Sequence, residues 1–349
     1  MHPKWFSACV CLRYQCDNPI NQTAWEPLLQ KLRHRPIGEA QRTSTGFSSP
    51  FGYLAPNIMS HEMQGYLFLS LTHEKKSVPR NKLNRLFMLK LEERANKEGG
   101  SISDIKGAER KAIKEQTEAE LLKKTVPDEV YINAILDTKN QLLYVDSSSQ
   151  GNLDLLEKKL QHVDKSFSQR PYFDASVEVY LTQWVYDPAT NLPKKIILDS
   201  DATLLNDEKA KAAFSNQNLE SDELINLIRH DKRVTELGVH YDGRMRFKLN
   251  AKGQLKKMKP TELTLSDIQK DHEPQGAIED MEAFWLVLAN TLTELYEWLG
   301  GLFAVNTDHP AAQDDNDDEH AQAPPNQEGS ASNDDEHALD DLAAAMGNA

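Results

Sequence analysis

Long apolar runs are missing from this chain. Nowhere do eighteen apolar residues follow one another, so no membrane-spanning helix is expected. The opening Met1-His2-Pro3-Lys4-Trp5-Phe6 lacks the apolar core of a secretory signal, and a soluble cytoplasmic protein is the expectation. Cysteine is scarce too. Cys9, Cys11 and Cys16 form an odd, clustered set, which argues against a disulfide framework and falls short of the four N/S ligands of a structural zinc site. Cys9 and Cys11 share one face of the apolar run Ala8-Cys9-Val10-Cys11-Leu12, where buried free thiols are expected. No G-x-x-x-x-G-K-[ST] or G-x-G-x-x-G phosphate cradle occurs, no H-x-x-x-H or C-x-x-C spacing, and no serine in a nucleophile elbow. Zinc-finger, basic-zipper and helix-turn-helix signatures are lacking as well, so a protein that reads base sequence is not indicated.

Basic residues are absent from the last segment. Between Thr307 and Ala349 there are twelve acids and no Lys or Arg, and Asp-Asp-Glu-His-Ala occurs twice, at 317–321 and 334–338. The formal charge of −14 therefore belongs to this tail, because the first 306 residues hold 42 acids against 40 bases. Such a composition predicts a disordered segment. Solubility is its plain role; competition with nucleic acid for basic surface, or a docking peptide at 338–346, is the sharper one.

What is there reads as mixed α and β with hairpins rather than repeated βαβ units, which predicts an α+β fold of antiparallel hairpin sheets with packed helices. Strand (Trp5 to Tyr14) and helix (Ala24 to Leu32) come first, then a strand over 65–72. A helical projection near 80–124 is broken at Gly99-Gly100, and a hairpin over 132–146 and an amphipathic helix over 153–163 follow. A strand is expected through Val177, Val179, Leu181 and Trp184, and a helix capped by Ser221. Asp242-Gly243 joins two alternating runs, a third strand follows at 254–259, and an apolar helix from Ile278 is expected to stop at Gly300-Gly301. The order suggests two pseudo-similar halves, 1–170 and 171–303, with a tail from 304 to 349.

Within the near-neutral body, residues 229–259 hold ten Lys or Arg against three acids. Arg244-Met245-Arg246-Phe247-Lys248-Leu249 alternates with a period of two, so as a strand it sets Arg244, Arg246 and Lys248 on one face and the apolar residues on the other. Same-face residues lie about 6.6–7 Å apart, close to the spacing of phosphates along a nucleic-acid strand, roughly 6–7 Å. A phosphate-facing sheet and a solvated edge whose cations deter aggregation both fit; the concentration of charge favours the first. Lys75, Lys76, Lys123, Lys124, Lys256 and Lys257 are the further candidates for phosphate contact. A cationic sheet without a base-reading helix binds backbone rather than sequence. Two other readings stay open. Asp199-Ser200-Asp201 hints at a cation site for a metal-dependent nuclease, although Leu204 and Ala210 break the calcium-loop pattern. The acidic tail and the helix over 281–298 could instead bind protein.

Trp5-Phe6, Gly46-Phe47 with Pro50, Glu74 to Pro79, Leu121-Leu122-Lys123-Lys124, Leu181-Thr182-Gln183-Trp184-Val185, Glu223-Leu224-Ile225 through Val234-Thr235 and Leu237, Arg244-Met245 with Phe247, Gly253 with Leu255-Lys256, and Leu299-Gly300-Gly301 follow in an order and spacing that together resemble the bacterial recombination-associated RdgC family. The likeness covers about residues 5–302. It implies a subunit of a ring-shaped homodimer that encircles double-stranded DNA with little sequence preference. It also implies a nucleoid-associated, cytoplasmic location, restraint of the RecA recombinase, and no catalytic residue, metal or other cofactor. Gln217 is kept where relatives carry a Lys-Gln pair, and Asn216 replaces the lysine. Val126-Pro127-Asp128-Glu129-Val130 stands where relatives have a basic-aromatic stretch, which weakens the claim of this segment to touch DNA or to close the ring as in relatives.

Overall fold

A computed structural model describes residues 5–271 and 276–303; the acidic tail and its expected disorder lie outside the described residues. The first half runs β1 (Ala8–Gln15), α1 (Gln22–Lys31), β2 (Thr43–Ser48), β3 (Ser60–Met63), β4 (Tyr66–Lys75), α2 (Arg80–Glu98), α3 (Gly107–Lys124), β5 (Asp128–Asp137), β6 (Leu142–Val145), α4 (Gln150–Val163) and β7 (Ser168–Pro171). The second runs α5 (Glu178–Tyr186), α6 (Pro188–Asn191), β8 (Ile196–Leu205), β9 (Lys211–Phe214), α7 (Asp222–Arg229), β10 (Arg233–Tyr241), β11 (Met245–Asn250), β12 (Leu255–Pro260), α8 (Glu262–Asp271) and α9 (Ala277–Leu302). The fold is α+β, as the hairpin-rich order predicts.

All twelve strands join one antiparallel sheet in the order β2-β4-β5-β6-β1-β12-β11-β10-β8-β9, with β3 on β4 and β7 on β1. β1 is the seam. Its Ala8 and Cys9 pair with β12, its Val10 to Arg13 pair with β6, and Leu12 to Gln15 pair with β7. Alternation along β1 follows: Cys9 and Cys11 join one apolar core, while Val10, Leu12 and Tyr14 join another. The second core is closed by α1 and α4 through Trp25, Leu29, Leu153, Leu156 and Leu160. The first is closed by α9 and α5 and extends across both halves of the sheet. Tyr66 and Tyr144 of one half meet Thr293 of α9 at 3.0 and 3.1 Å, and the Tyr296 hydroxyl reaches the Cys9 carbonyl at 3.3 Å. Burial pushes the Cys9 and Cys11 thiols well above their ordinary values, so both stay protonated.

Three local expectations are corrected. Residues 178–186 form helix α5 rather than a strand. Val177, Leu181, Trp184 and Val185 are buried at helical spacing, while Val179 is exposed on the outer side. Gly300-Gly301 does not stop α9, which continues to Leu302. A Cβ at Gly300 would stand 2.4 Å from the Tyr172 hydroxyl, which donates to the Tyr296 carbonyl, so this glycine serves close packing. Ser221 does occupy the position before α7, but its side chain makes no capping bond.

α2 and α3 pack against each other as a hairpin. It closes a small core of its own around Leu91, Ala95 and Ile105. Its helices are laced by Lys90–Glu120 and Arg94–Glu109, both at 2.6 Å, and Arg42 ties it to the sheet through Glu118 at 2.7 Å. Among the described residues no helix is long and apolar enough to cross a membrane.

Candidate nucleic-acid interface

Among the described residues, helices cover both faces of the first half of the sheet but only one face of β10, β11 and β12. Met245, Phe247 and Leu249 turn into the α9 core and are fully buried. Across the strand, Arg246 and Lys248 share the uncovered face, as the period of two predicts. Register extends this face sideways. His240, Arg246 and Lys259 are cross-strand neighbours, and so are Gly238, Lys248 and Lys256. Lys257 takes a left-handed φ of 51° at a bulge, which shifts register and brings Lys259 opposite Arg246. Sequence alternation alone counts no bulge, and so it does not bring Lys259 into the row.

Arg244 departs from the row. It sits in the turn with Asp242 and Gly243, both at positive φ, and its guanidinium meets Glu294 of α9 at 2.6 Å. Strand alternation begins only at Met245, so Arg244 is free to reach the helix side.

The open face is not simply cationic. Arg246 Nε donates to Asp199 Oδ2, Lys248 Nζ meets Asp201 at 2.9 Å, and Lys256 Nζ meets Glu236 at 2.8 Å. In each pair the cation is the more exposed partner: 46% against 12% for Arg246 and Asp199, 17% against 15% for Lys248 and Asp201, and 38% against 24% for Lys256 and Glu236. Arg246 stands well clear of its carboxylate, whereas Lys248 and Asp201 are about equally half-buried. Burial opposes the charge of Asp199, but the Ser200 N–H and the Arg246 guanidinium outweigh it and hold the carboxyl below its ordinary value. The Lys248 ammonium does the same for Asp201 against a smaller burial penalty. Both are therefore charged at neutral pH.

Reach across a strand needs room. β8 and β11 flank β10, and register slips so that Leu237 faces Ala202 while Val239 faces Leu198. Asp199-Ser200-Asp201 thus bulges opposite the single residue Gly238. A Cβ on Gly238 would stand 3.1 Å from Asp199 Cβ and 3.2 Å from Asp201 Cβ. Glycine leaves the corridor through which both carboxylates meet cations two strands away. Gln217 joins this place through its N–H, which donates to the Ser200 carbonyl at 3.1 Å.

A second group gathers at the base of the α2–α3 hairpin. Lys75 ends β4 opposite Asp128, the first residue of β5, and Lys123 and Lys124 end α3 just before it. All three are exposed. Lys123 and Lys124 also suit the negative end of the α3 dipole. Lys76 is different: it is 8% exposed, and its ammonium donates to the carbonyls of Gly38 and Glu39 at 3.1 and 3.3 Å. It ties the 38–39 loop to the sheet and presents no free N–H cluster to solvent.

Among the described residues no three His, Cys, Asp or Glu groups converge as metal ligands. Asp199 and Asp201, the carboxylates of the nuclease alternative, are each committed to a cation.

The family model described as "Putative exonuclease, RdgC" matches residues 4–305. The chain belongs to the RdgC family. Relatives named recombination-associated protein RdgC include that of Xanthomonas oryzae pv. oryzae strain PXO99A, 26% identical over 78% of this chain and 89% of the relative. That of Xanthomonas campestris pv. campestris strain B100 is 25% identical over the same shares. That of Pseudoalteromonas translucida strain TAC 125 is 25% identical over 84% of this chain and 96% of its own length. The RdgC relatives are thus named for recombination and the family model for an exonuclease, and the open charged face lies inside the matched span.

Proposed function

We propose that the chain is a non-enzymatic protein of the bacterial nucleoid that binds double-stranded DNA with little regard to sequence, as a ring-shaped homodimer, and restrains the RecA recombinase. The observation that carries the DNA reading is the open face of β10, β11 and β12, where Arg246 is far more exposed than the half-buried carboxylate that holds it and Lys259 lies opposite Arg246 on the neighbouring strand. Phosphates, not base edges, suit this surface, because a flat row of Arg and Lys has no element that enters a groove. Family membership supports the link to recombination. The ring and the recombinase follow from the family resemblance. Self-association is supported further by Leu86, Met88 and Leu89 of α2 and Tyr131 of β5, all exposed.

The test is duplex binding by Arg246→Glu/Lys248→Glu, measured by fluorescence anisotropy on unrelated sequences across salt. We expect loss of affinity on the order of tenfold or more for every sequence, and a log–log salt slope flatter by about 0.9 for each phosphate no longer neutralised. Wild-type binding by this variant would remove the sheet face from the reading.

A nuclease using Asp199 and Asp201 is the second reading, favoured by the family model's description. Magnesium-dependent nicking of supercoiled plasmid that vanishes in Asp201→Ala would establish it in place of the first.

A further inference from the structure

Asp199 and Asp201 are usually the kind of residue that weakens a nucleic-acid surface, since each brings a negative charge within reach of phosphate. Their placement argues otherwise. Asp199 is much the less exposed member of its pair, and Asp201 lies level with the half-buried Lys248. Neither is free to swing: Asp199 Oδ1 accepts from the Ser200 N–H at 2.8 Å, and Asp201 is bonded by the Asn216 N–H and the Ser215 side chain besides Lys248. Arg246 spends only its Nε on Asp199, so among the described residues both terminal nitrogens of its fork remain for another acceptor. His240, at 3.9 Å from Asp199 Oδ1, is the other charged or titratable group that faces this carboxylate at close range. A guanidinium gripped at Nε from below is aimed outward, and its rotamers are already restricted before any ligand arrives.

We propose that Asp199 and Asp201 are positioning residues of the DNA face, set on the β8 bulge to hold Arg246 and Lys248 erect with their outer N–H groups directed at backbone phosphates. This rests on the duplex-binding reading and adds to it a role for acidic residues that composition assigns to repulsion. Two physical effects compete when Asp199 is removed. Loss of a negative charge strengthens binding, whereas loss of the grip returns to the arginine the freedom it must surrender on binding, an effect of about three- to tenfold. The half-buried, doubly bonded geometry of Asp199 makes the second effect the larger one.

The full chain is titrated with two unrelated duplexes by fluorescence anisotropy, with a thermal melt of each variant to confirm folding. Asp199→Ala weakens binding about three- to tenfold although the protein becomes less negative. Asp199→Asn, which keeps an oxygen acceptor for Nε, binds more tightly than Asp199→Ala. In an Arg246→Ala background, Asp199→Ala has no further effect. Binding by Asp199→Ala as tight as or tighter than wild type overturns the proposal, and so does an equal loss in the Arg246→Ala background. If Asp199→Ala does not fold, Arg246→Lys serves: it keeps the charge but cannot be held at Nε while offering two further nitrogens, and it weakens binding by a similar factor; wild-type affinity there also overturns the proposal. The two failures are distinguishable. Weak binding by Arg246→Glu/Lys248→Glu with normal binding by Asp199→Ala removes only the positioning role, whereas normal binding by both removes the sheet face itself.

Discussion

Lys75 and Lys76 are adjacent in sequence and opposite in fate. Lys75 is exposed at the end of β4, while the Lys76 ammonium is folded onto two carbonyls. Lys76→Ala should therefore cost about 1.5–3 kcal/mol of stability in a urea melt, the range for hydrogen bonds to a charged donor, and leave the salt slope of DNA binding unchanged. Lys75→Ala should do the reverse, flattening the slope with a stability change within about 0.5 kcal/mol. A stable Lys76→Ala with a flatter slope would return that lysine to the interface. Gly238 is the other single position on which much depends. Gly238→Val would push into Asp199, Asp201 and the Asp201 carbonyl, the last only 3.2 Å from where the new Cβ would stand, and overpacking of this kind costs about 1–3 kcal/mol. Urea denaturation measures it, and an unchanged midpoint would mean that the bulge yields freely.

At the scale of elements, carboxylates tie the ends of helices to neighbouring loops, and one held below its ordinary value adds stability that acid removes. Asp164, the residue that ends α4, accepts from Ser166 Oγ and Asn18 Nδ2, both at 2.6 Å, and so joins this end to the loop after β1. The Ser166 hydroxyl and the Asn18 amide hold its carboxyl down to about 2 from the ordinary 3.8. A carboxyl depressed in the folded state stabilises the fold above its unfolded value, and that contribution is lost as pH falls through the folded value. The window is therefore from about 3.8 down to about 2, with no change near neutrality. We expect Asp164→Ala to lower the melting temperature at pH 7 but to narrow its difference from wild type as pH falls toward 2, read by circular dichroism. A difference that widens in acid would contradict the assignment. Elements are largely legible from sequence where one face alone is buried, as in β11, whose alternation sorts Phe247 from Arg246. α5 is not, because Val177, Val179 and Leu181 imitate a strand's period, and only burial of Val185 with exposure of Val179 reveals the helix.

At the scale of the molecule, α9 joins what the chain order separates. It covers both halves of the sheet across the β1 seam, and its Leu292 is fully buried in their shared core. Leu292→Ala should cost about 2–5 kcal/mol, and denaturation followed by Trp fluorescence and by circular dichroism should remain one coincident transition. Two separated transitions would mean that residues 1–170 and 171–303 are independent halves. Self-association belongs to this scale as well. Leu86→Asp/Leu89→Asp on α2 should lower the solution mass measured by light scattering, and an unchanged dimer mass would place the self-contact elsewhere.

Sequence alone determined the signs and periods: which residues of β11 could be buried, where Asp242-Gly243 turns the chain, and that its excess acidity lies after residue 306. These are local properties, set by side-chain alternation and by the few backbone conformations each residue tolerates. Tertiary structure alone decided which charges meet. Asp199 and Arg246 are 47 residues apart, and their bond exists because a bulge in β8, a glycine in β10 and a strand beyond it come into line. Electrostatic partners across a sheet depend on register and on the space between strands, and neither is written in the spacing of residues along the chain.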